Sequence, residues 1–263
     1  MKPTSRSILA LSMVAAVVLL VATTAVLAEP PAAPKVSSFA PAKDVVSQIG
    51  SYVGRLEESV ESEDAFKEAE AKLAKDSNTL ILLALAAGLH DEDNKLKAAA
   101  PAIMKAAQDL AKANSYAAAK AGVAAVKKAL DAADGNPAEL KWVKSASLPD
   151  LMKQVPLVNS RLKRNLREEK FKSKAKDNAG DSAALAVIAQ GSIADTSETK
   201  SDEDVKKWYG LCVEMRDAAA ALNKAVHDRD QAAADKALGA LNQSCDHCHE
   251  VFHKSAEKES SKE

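Results

Sequence analysis

The sequence predicts an all-α protein, and three observations predict it. Alanine, leucine, lysine and glutamate dominate the text, while glycine and proline occur only 9 times each and aromatics make up 3% of the 263 residues. The turn residues about every 8–12 positions and the strands rich in Val, Thr and aromatics that a β-sandwich needs are absent. Apolar residues recur instead at spacings of three and four, the period of a helix with one buried face. The charge balance narrows function as well. Lys and Arg number 36 against 37 Asp and Glu, for a net charge of −1, so the basic footprint of a nucleic-acid binder is missing.

Taken in order, the chain opens with Lys2 and Arg6, followed by an apolar stretch from Ile8 to Ala28 broken only by Ser12, Thr23 and Thr24. Val26-Leu27-Ala28 offers a small-residue cleavage site before Glu29, so residues 1–28 read as a signal peptide and the mature protein as exported, to the periplasm or beyond. The same stretch is long enough to act as a membrane anchor if it is left uncleaved; cleavage leaves no stable insertion. Residues 29–42 (EPPAAPKVSSFAPA) are rich in Pro, Ala and Ser without an apolar period, and read as a tether.

Helices are expected over 43–62, 64–89, 93–113 and 115–134. Gly135-Asn136-Pro137 then ends the pattern, with a helix-terminating Gly, a capping Asn and a Pro suited to a first turn. A second set follows over 149–168, 171–191, 202–226 and 229–250, with capping signals at Ser201-x-x-Asp204 and Asp228-x-x-Gln231. The halves resemble each other. Lys75-Asp76-Ser77-x-x-Leu80 matches Gly180-Asp181-Ser182-x-x-Leu185, and Val46-x-Gln48-Ile49 matches Met152-x-Gln154-Val155 at an offset of 106. Ala117-Ala118-Ala119-Lys120-Ala121 aligns with Ala233-Ala234-Asp235-Lys236-Ala237 at an offset of 116. Matches in the same order over four helices predict a duplication: two tandem four-helix bundles, 43–135 and 136–254, then a charged tail over 255–263.

The chemistry lies near the end. Cys245-Asp246-His247-Cys248-His249 is C-x-x-C-H, the attachment sequence of a c-type haem. Thiols three residues apart share one face of a helix, where both reach the haem vinyl groups, and the adjacent His presents its imidazole to the iron. Attachment of this kind occurs outside the cytoplasm, in keeping with an export signal. Two other readings compete. A thioredoxin-like C-x-x-C opens a helix after a strand, whereas this one closes a helix in a chain without strand signals. A zinc site would have to take Cys245, Cys248, His249 and His253 from one helix, which strains a tetrahedral shell. With Cys212 the cysteines number three, which does not make a disulfide framework.

A C-x-x-C-H on the last helix of a four-helix bundle resembles the class II cytochromes c, cytochrome c′ and its low-spin relatives. The resemblance spans about residues 149–253, with 43–134 as a degraded copy. It implies one haem c per chain, held by thioethers at Cys245 and Cys248, with His249 as the proximal iron ligand. At the offset of 116 the first copy has Ala129, Ala132 and Ala133 in those three places, so it is expected to be free of haem. Low-spin members of the family place a Met of the first bundle helix opposite the proximal His, and cytochromes c′ place an apolar side chain there. Here that position points to Met152, on one stripe with Val155, Leu162 and Leu166. A Met on such a stripe is otherwise core filler. Val46 is its aligned residue in the first copy, and Met215 is a competing candidate. Pro156 removes the helical donor for the Met152 carbonyl, so a kink or restart is expected there.

Trp208 and Tyr209 read as core or haem-edge packing, and Cys212 as a buried small hydrophobe. His90, His227, His247 and His253 read as surface residues, and Arg161, Lys163, Arg164 and Arg167 as a charged face. No Ser/His/Asp or paired-carboxylate arrangement stands out, since each Asp and Glu fits a solvated helix face, so no enzyme is expected. The expected function is single-electron transfer by an exported cytochrome with protein redox partners, a homodimer being compatible. The alternative is a five-coordinate, cytochrome c′-like protein that binds nitric oxide or carbon monoxide.

Overall fold

The computed structural model describes residues 29–132 and 135–260, with side chains through Phe252. The segment 1–28, and with it the expected signal peptide, lies outside the described residues. Nine α-helices and two single 3-10 turns make up the regular structure of the described residues, and no strand occurs among them. Helix α1 (Ala42–Glu58) buries Val45, Ile49, Tyr52, Val53 and Leu56, a stripe at intervals of three and four. In α2 (Glu63–Leu89) the Ser62 hydroxyl accepts the Ala65 amide at 3.1 Å as its cap. Helix α3 (Ala100–Leu110) is shorter than expected at its front. Pro101 has no N–H to give and fits only a first turn, so the helix starts there instead of near 93. Helix α4 (Tyr116–Ala129) is capped by Ser115.

After a 3-10 turn at Pro137–Glu139 capped by Asn136, the chain runs to α5 (Leu148–Asn165), with Ser147 at its cap. This helix continues through Pro156. A short α6 (Glu168–Phe171) leads into α7 (Ala175–Ser192). Helix α8 (Asp202–Asp228) is capped by Ser201 as the sequence predicts. The cap of α9 (Gln231–Ser260) is Asp230, not Asp228: its carboxylate accepts the Ala233 amide at 2.9 Å, while Arg229 adopts a left-handed φ of 57° to turn the chain. Helix α9 runs through Ser260, into the segment read as a tail. None of the described helices is long and apolar enough to cross a membrane.

Helices α2 and α7 form the centre. Every residue from Asp76 to Gly88 and from Asn178 to Ser192 is buried, so neither helix has a polar face there, as expected of helices surrounded by protein. They pack closely because Gly191 lacks a side chain: a Cβ there would sit 2.7 Å from Leu82 Cδ1. Neighbours pair in sequence order, α1 with α2, α2 with α3, α3 with α4, then α5 with α7, α7 with α8, α8 with α9. The halves also exchange contacts reciprocally. Helix α1 packs on α7, and its sequence counterpart α5 packs on α2. One continuous apolar core joins α1–α9, with Phe171 as the contribution of the short α6.

Several expectations change here. The tether is shorter, since Val36, Phe39 and Ala40 are buried in the core. Asp91 holds Ser37 through its amide and hydroxyl at 2.9 and 2.6 Å, contacts that lower the Asp91 carboxyl to about 2. His90 is 1% exposed, with its ring between the Ala40 carbonyl and the Glu92 amide, because it closes α2 against that docked segment. Several carboxylates are interior as well. Asp76 pairs with Arg55 at 3.2 Å and Asp181 with Arg161 at 2.8 and 3.0 Å. Arg161 therefore belongs to a buried pair and not to a solvated face. Asp44 accepts from Asn223 at 2.9 Å and contacts the half-buried His227 at 2.6 Å.

Candidate functional site

Three helices of the second half converge on one region. Helix α9 brings Cys245, Cys248 and His249, positions i, i+3 and i+4, to one face. The Arg229 turn and Asp230 cap lay α9 back along α8, which faces it with Trp208, Cys212 and Met215. Helix α5 supplies Met152, Val155, Pro156 and Asn159, also one face at helical spacing.

Between them lie two adjoining cavities of about 350 and 220 Å³. Met152, Trp208, Cys248 and His249 border both. Cys245, Cys212 and Met215 border the smaller, while Leu148, Lys153, Glu198 and Phe252 border the larger. A few hundred Å³ with mostly apolar walls and few polar groups is the usual form of a cofactor pocket. Another cleft of about 380 Å³ lies among Lys43, Lys176 and Arg229, and carries no thiol or thioether.

Trp208 forms the common wall. It is 3% exposed, its indole N–H donates to the Ser192 carbonyl at 2.9 Å, and Phe252 meets it edge-on with centroids 5.3 Å apart. Leu148, Ile193, Trp208 and Cys212 form a small apolar cluster, with Met152, Cys248 and Phe252 against it. Asn159 ties α5 to α9 through its amide, 2.8 Å from the Asn242 oxygen. The sequence reading passed over Asn159, although it stands seven residues after Met152 on the same stripe. Met215, the competing thioether, opens on the smaller cavity too.

Burial governs the thiols. It pushes Cys248 up to about 11, helped by the neighbouring Cys245, and it raises Cys245 and Cys212 as well. All three are S–H groups at neutral pH. In the haem-free chain, alkylation of Cys248 by iodoacetamide is therefore expected to be slow at pH 8 and to accelerate up to about pH 11. A rate already at its plateau at pH 8 would contradict that burial.

Cys245, Cys248, His249 and Met152 are thus gathered around one space. Two thiols and an imidazole on one helix face, opposite a thioether across apolar walls, form a donor set that fits a covalently held haem. Among the described residues, no group of three or more His, Cys, Asp or Glu side chains is arranged to hold a bare metal ion. The His253 side chain of the zinc alternative, and Ala133 of the first copy, lie outside the described residues. Cys212 is buried as expected, and His247 stays near the surface beside Glu214 at 3.2 Å. Compared with family models, curated proteins and solved structures, the chain matches none of the three.

Proposed function

We propose that this chain is an exported c-type cytochrome, similar to the class II cytochromes c, that carries one covalent haem and passes single electrons to protein partners. The observation that carries the proposal is the meeting of Cys245, Cys248, His249 and Met152 around the two cavities between α5, α8 and α9. Cys245 and Cys248 would hold the group as thioethers, and their protonated thiols are the form that adds across a vinyl double bond without an oxidant. His249 and Met152 would be the protein ligands of its iron. Haem supplies the one-electron couple, and a Met ligand raises its potential relative to a second His. The apolar cluster of Leu148, Ile193, Trp208 and Cys212 would give the group an apolar wall.

The two halves are, in this proposal, copies of one four-helix unit joined through a shared core. The Arg55–Asp76 and Arg161–Asp181 pairs sit at matching sequence positions, and α1 on α7 mirrors α5 on α2. The first copy carries no haem, because buried Ala129 and half-buried Ala132 stand where the thiols would be. Mass spectrometry of the exported protein is accordingly expected to show one haem added to the mature chain; two would refute this account of the first copy.

The visible spectrum of the ferric and ferrous protein, with and without carbon monoxide, tests the function. Low-spin bands indifferent to carbon monoxide are the expected result. High-spin bands that shift with the gas would favour a five-coordinate, gas-binding protein.

A further inference from the structure

We infer that the haem-free half acts as a clamp on α5 that holds Met152 toward the site, with Gln154 as the positioning residue. This rests on the proposal that Met152 is the sixth ligand. Helix α5 has two working faces. Met152, Pro156 and Asn159 border the cavities, while Leu151, Gln154 and Val158 are buried on its other side. Gln154 is 2% exposed, and its amide donates across the junction to Tyr52 Oη on α1 at 3.0 Å and Asp76 Oδ1 on α2 at 2.9 Å.

Asn78 of α2 grips the start of the same helix. Its side-chain oxygen accepts the Ser147 amide at 2.7 Å, and its amide donates to Asp150 Oδ2 at 3.1 Å. These contacts fall on both sides of Met152 in sequence, at positions 147, 150 and 154. Their partners are themselves fixed, since Asp76 pairs with Arg55, whose guanidinium lies 3.7 Å over the Tyr52 ring.

The support is placed where α5 is weakest. Pro156 has no N–H, so the Met152 carbonyl loses its helical donor and the backbone ladder is broken at Met152. The outside hydrogen bonds brace the helix at 147, 150 and 154, on either side of that gap. The sequence counterpart of Gln154 is Gln48, on the helix where Val46 replaces Met152. Gln48 abuts Gly180, and its side-chain oxygen is buried without a partner among the described residues, where the pair of hydrogen bonds made by Gln154 is not repeated. The gripping amide is thus found on the copy that carries the thioether.

The test uses the full, haem-loaded protein with Gln154→Leu and Tyr52→Phe, the latter removing one hydroxyl from a helix that borders neither cavity. Val126→Ala, a core truncation on α4, serves as the control. Both clamp variants are expected to keep one covalent haem by mass, gain high-spin character in the ferric state, and bind carbon monoxide roughly tenfold more tightly, as the Met-bound population falls. Amide exchange over residues 150–158 is expected to quicken in both. If the parent is low-spin and both variants match it, or if Val126→Ala shifts the spin state equally, the clamp is refuted while the cytochrome proposal stands. A parent that is already high-spin refutes the Met152 assignment and the clamp with it.

Discussion

Met152→Ala is expected to convert a low-spin spectrum to a high-spin one, to lower the reduction potential, and to create carbon monoxide binding. The reasoning is local. The substitution removes the thioether and leaves Cys245, Cys248 and His249 on a different helix, so attachment and the proximal ligand survive. Without the thioether the iron would have one protein ligand fewer, and the contribution that Met ligation makes to a high potential would be withdrawn. The structural cost is bounded. A fully buried Met→Ala change costs about 2–5 kcal/mol, and Met152 is only partly buried, so the bundle remains folded. Met215→Ala is the matched comparison, because Met215 opens on the smaller cavity from α8. It is expected to loosen packing with no change of spin state. Reversal of the two results would make Met215 the ligand. No change in either, with a high-spin parent, would favour the five-coordinate alternative.

How much of this was legible in the sequence depends on the range of the interactions. Helix positions follow from local signals: Ser62, Ser115, Ser147 and Ser201 cap helices as serine before an acidic or apolar first turn does, and Pro101 sets where α3 can begin. The convergence of Cys245, Cys248 and His249 follows from helical spacing alone. Packing between the halves was not legible. Asp76 and Asp181 look like any helical acid until the fold puts arginines beside them. Val36 and Phe39 stand isolated in a Pro/Ala-rich stretch with no period, so nothing local announces that they dock. Residues 80–88 of α2 and 183–189 of α7 are apolar all round, and an all-round pattern marks burial without naming the partner. The two buttresses of α5, Gln154 and Asn78, escape notice for the same reason. Their bonds to Asp76, Tyr52, Ser147 and Asp150 join residues at least 69 positions apart.

Replacing both Cys245 and Cys248 by alanine is expected to abolish covalent haem entirely and to lower the melting temperature of the protein by about 10 °C. The first effect follows because thioether attachment has no other thiol on that face. Cys212 lies on α8, buried at 7% exposure, with its thiol pushed still higher by desolvation. The second is packing. The tethered group would fill the space between α5, α8 and α9 in the folded chain, and leaving that space empty costs about 4 kcal/mol, on the scale of a large-to-small core change. At about 2–4 °C per kcal/mol for a chain of this size, loss of the group costs about 8–16 °C. His249 is unchanged in the double variant, so, under the cytochrome proposal, added haem is expected to bind reversibly and restore part of the lost stability, in proportion to its concentration. Single variants separate the sulfurs: Cys245→Ala and Cys248→Ala each keep one thioether and are expected to retain haem on a denaturing gel. A double variant with the parent's mass and stability would show that no haem is carried at this site, and the cytochrome proposal would fall.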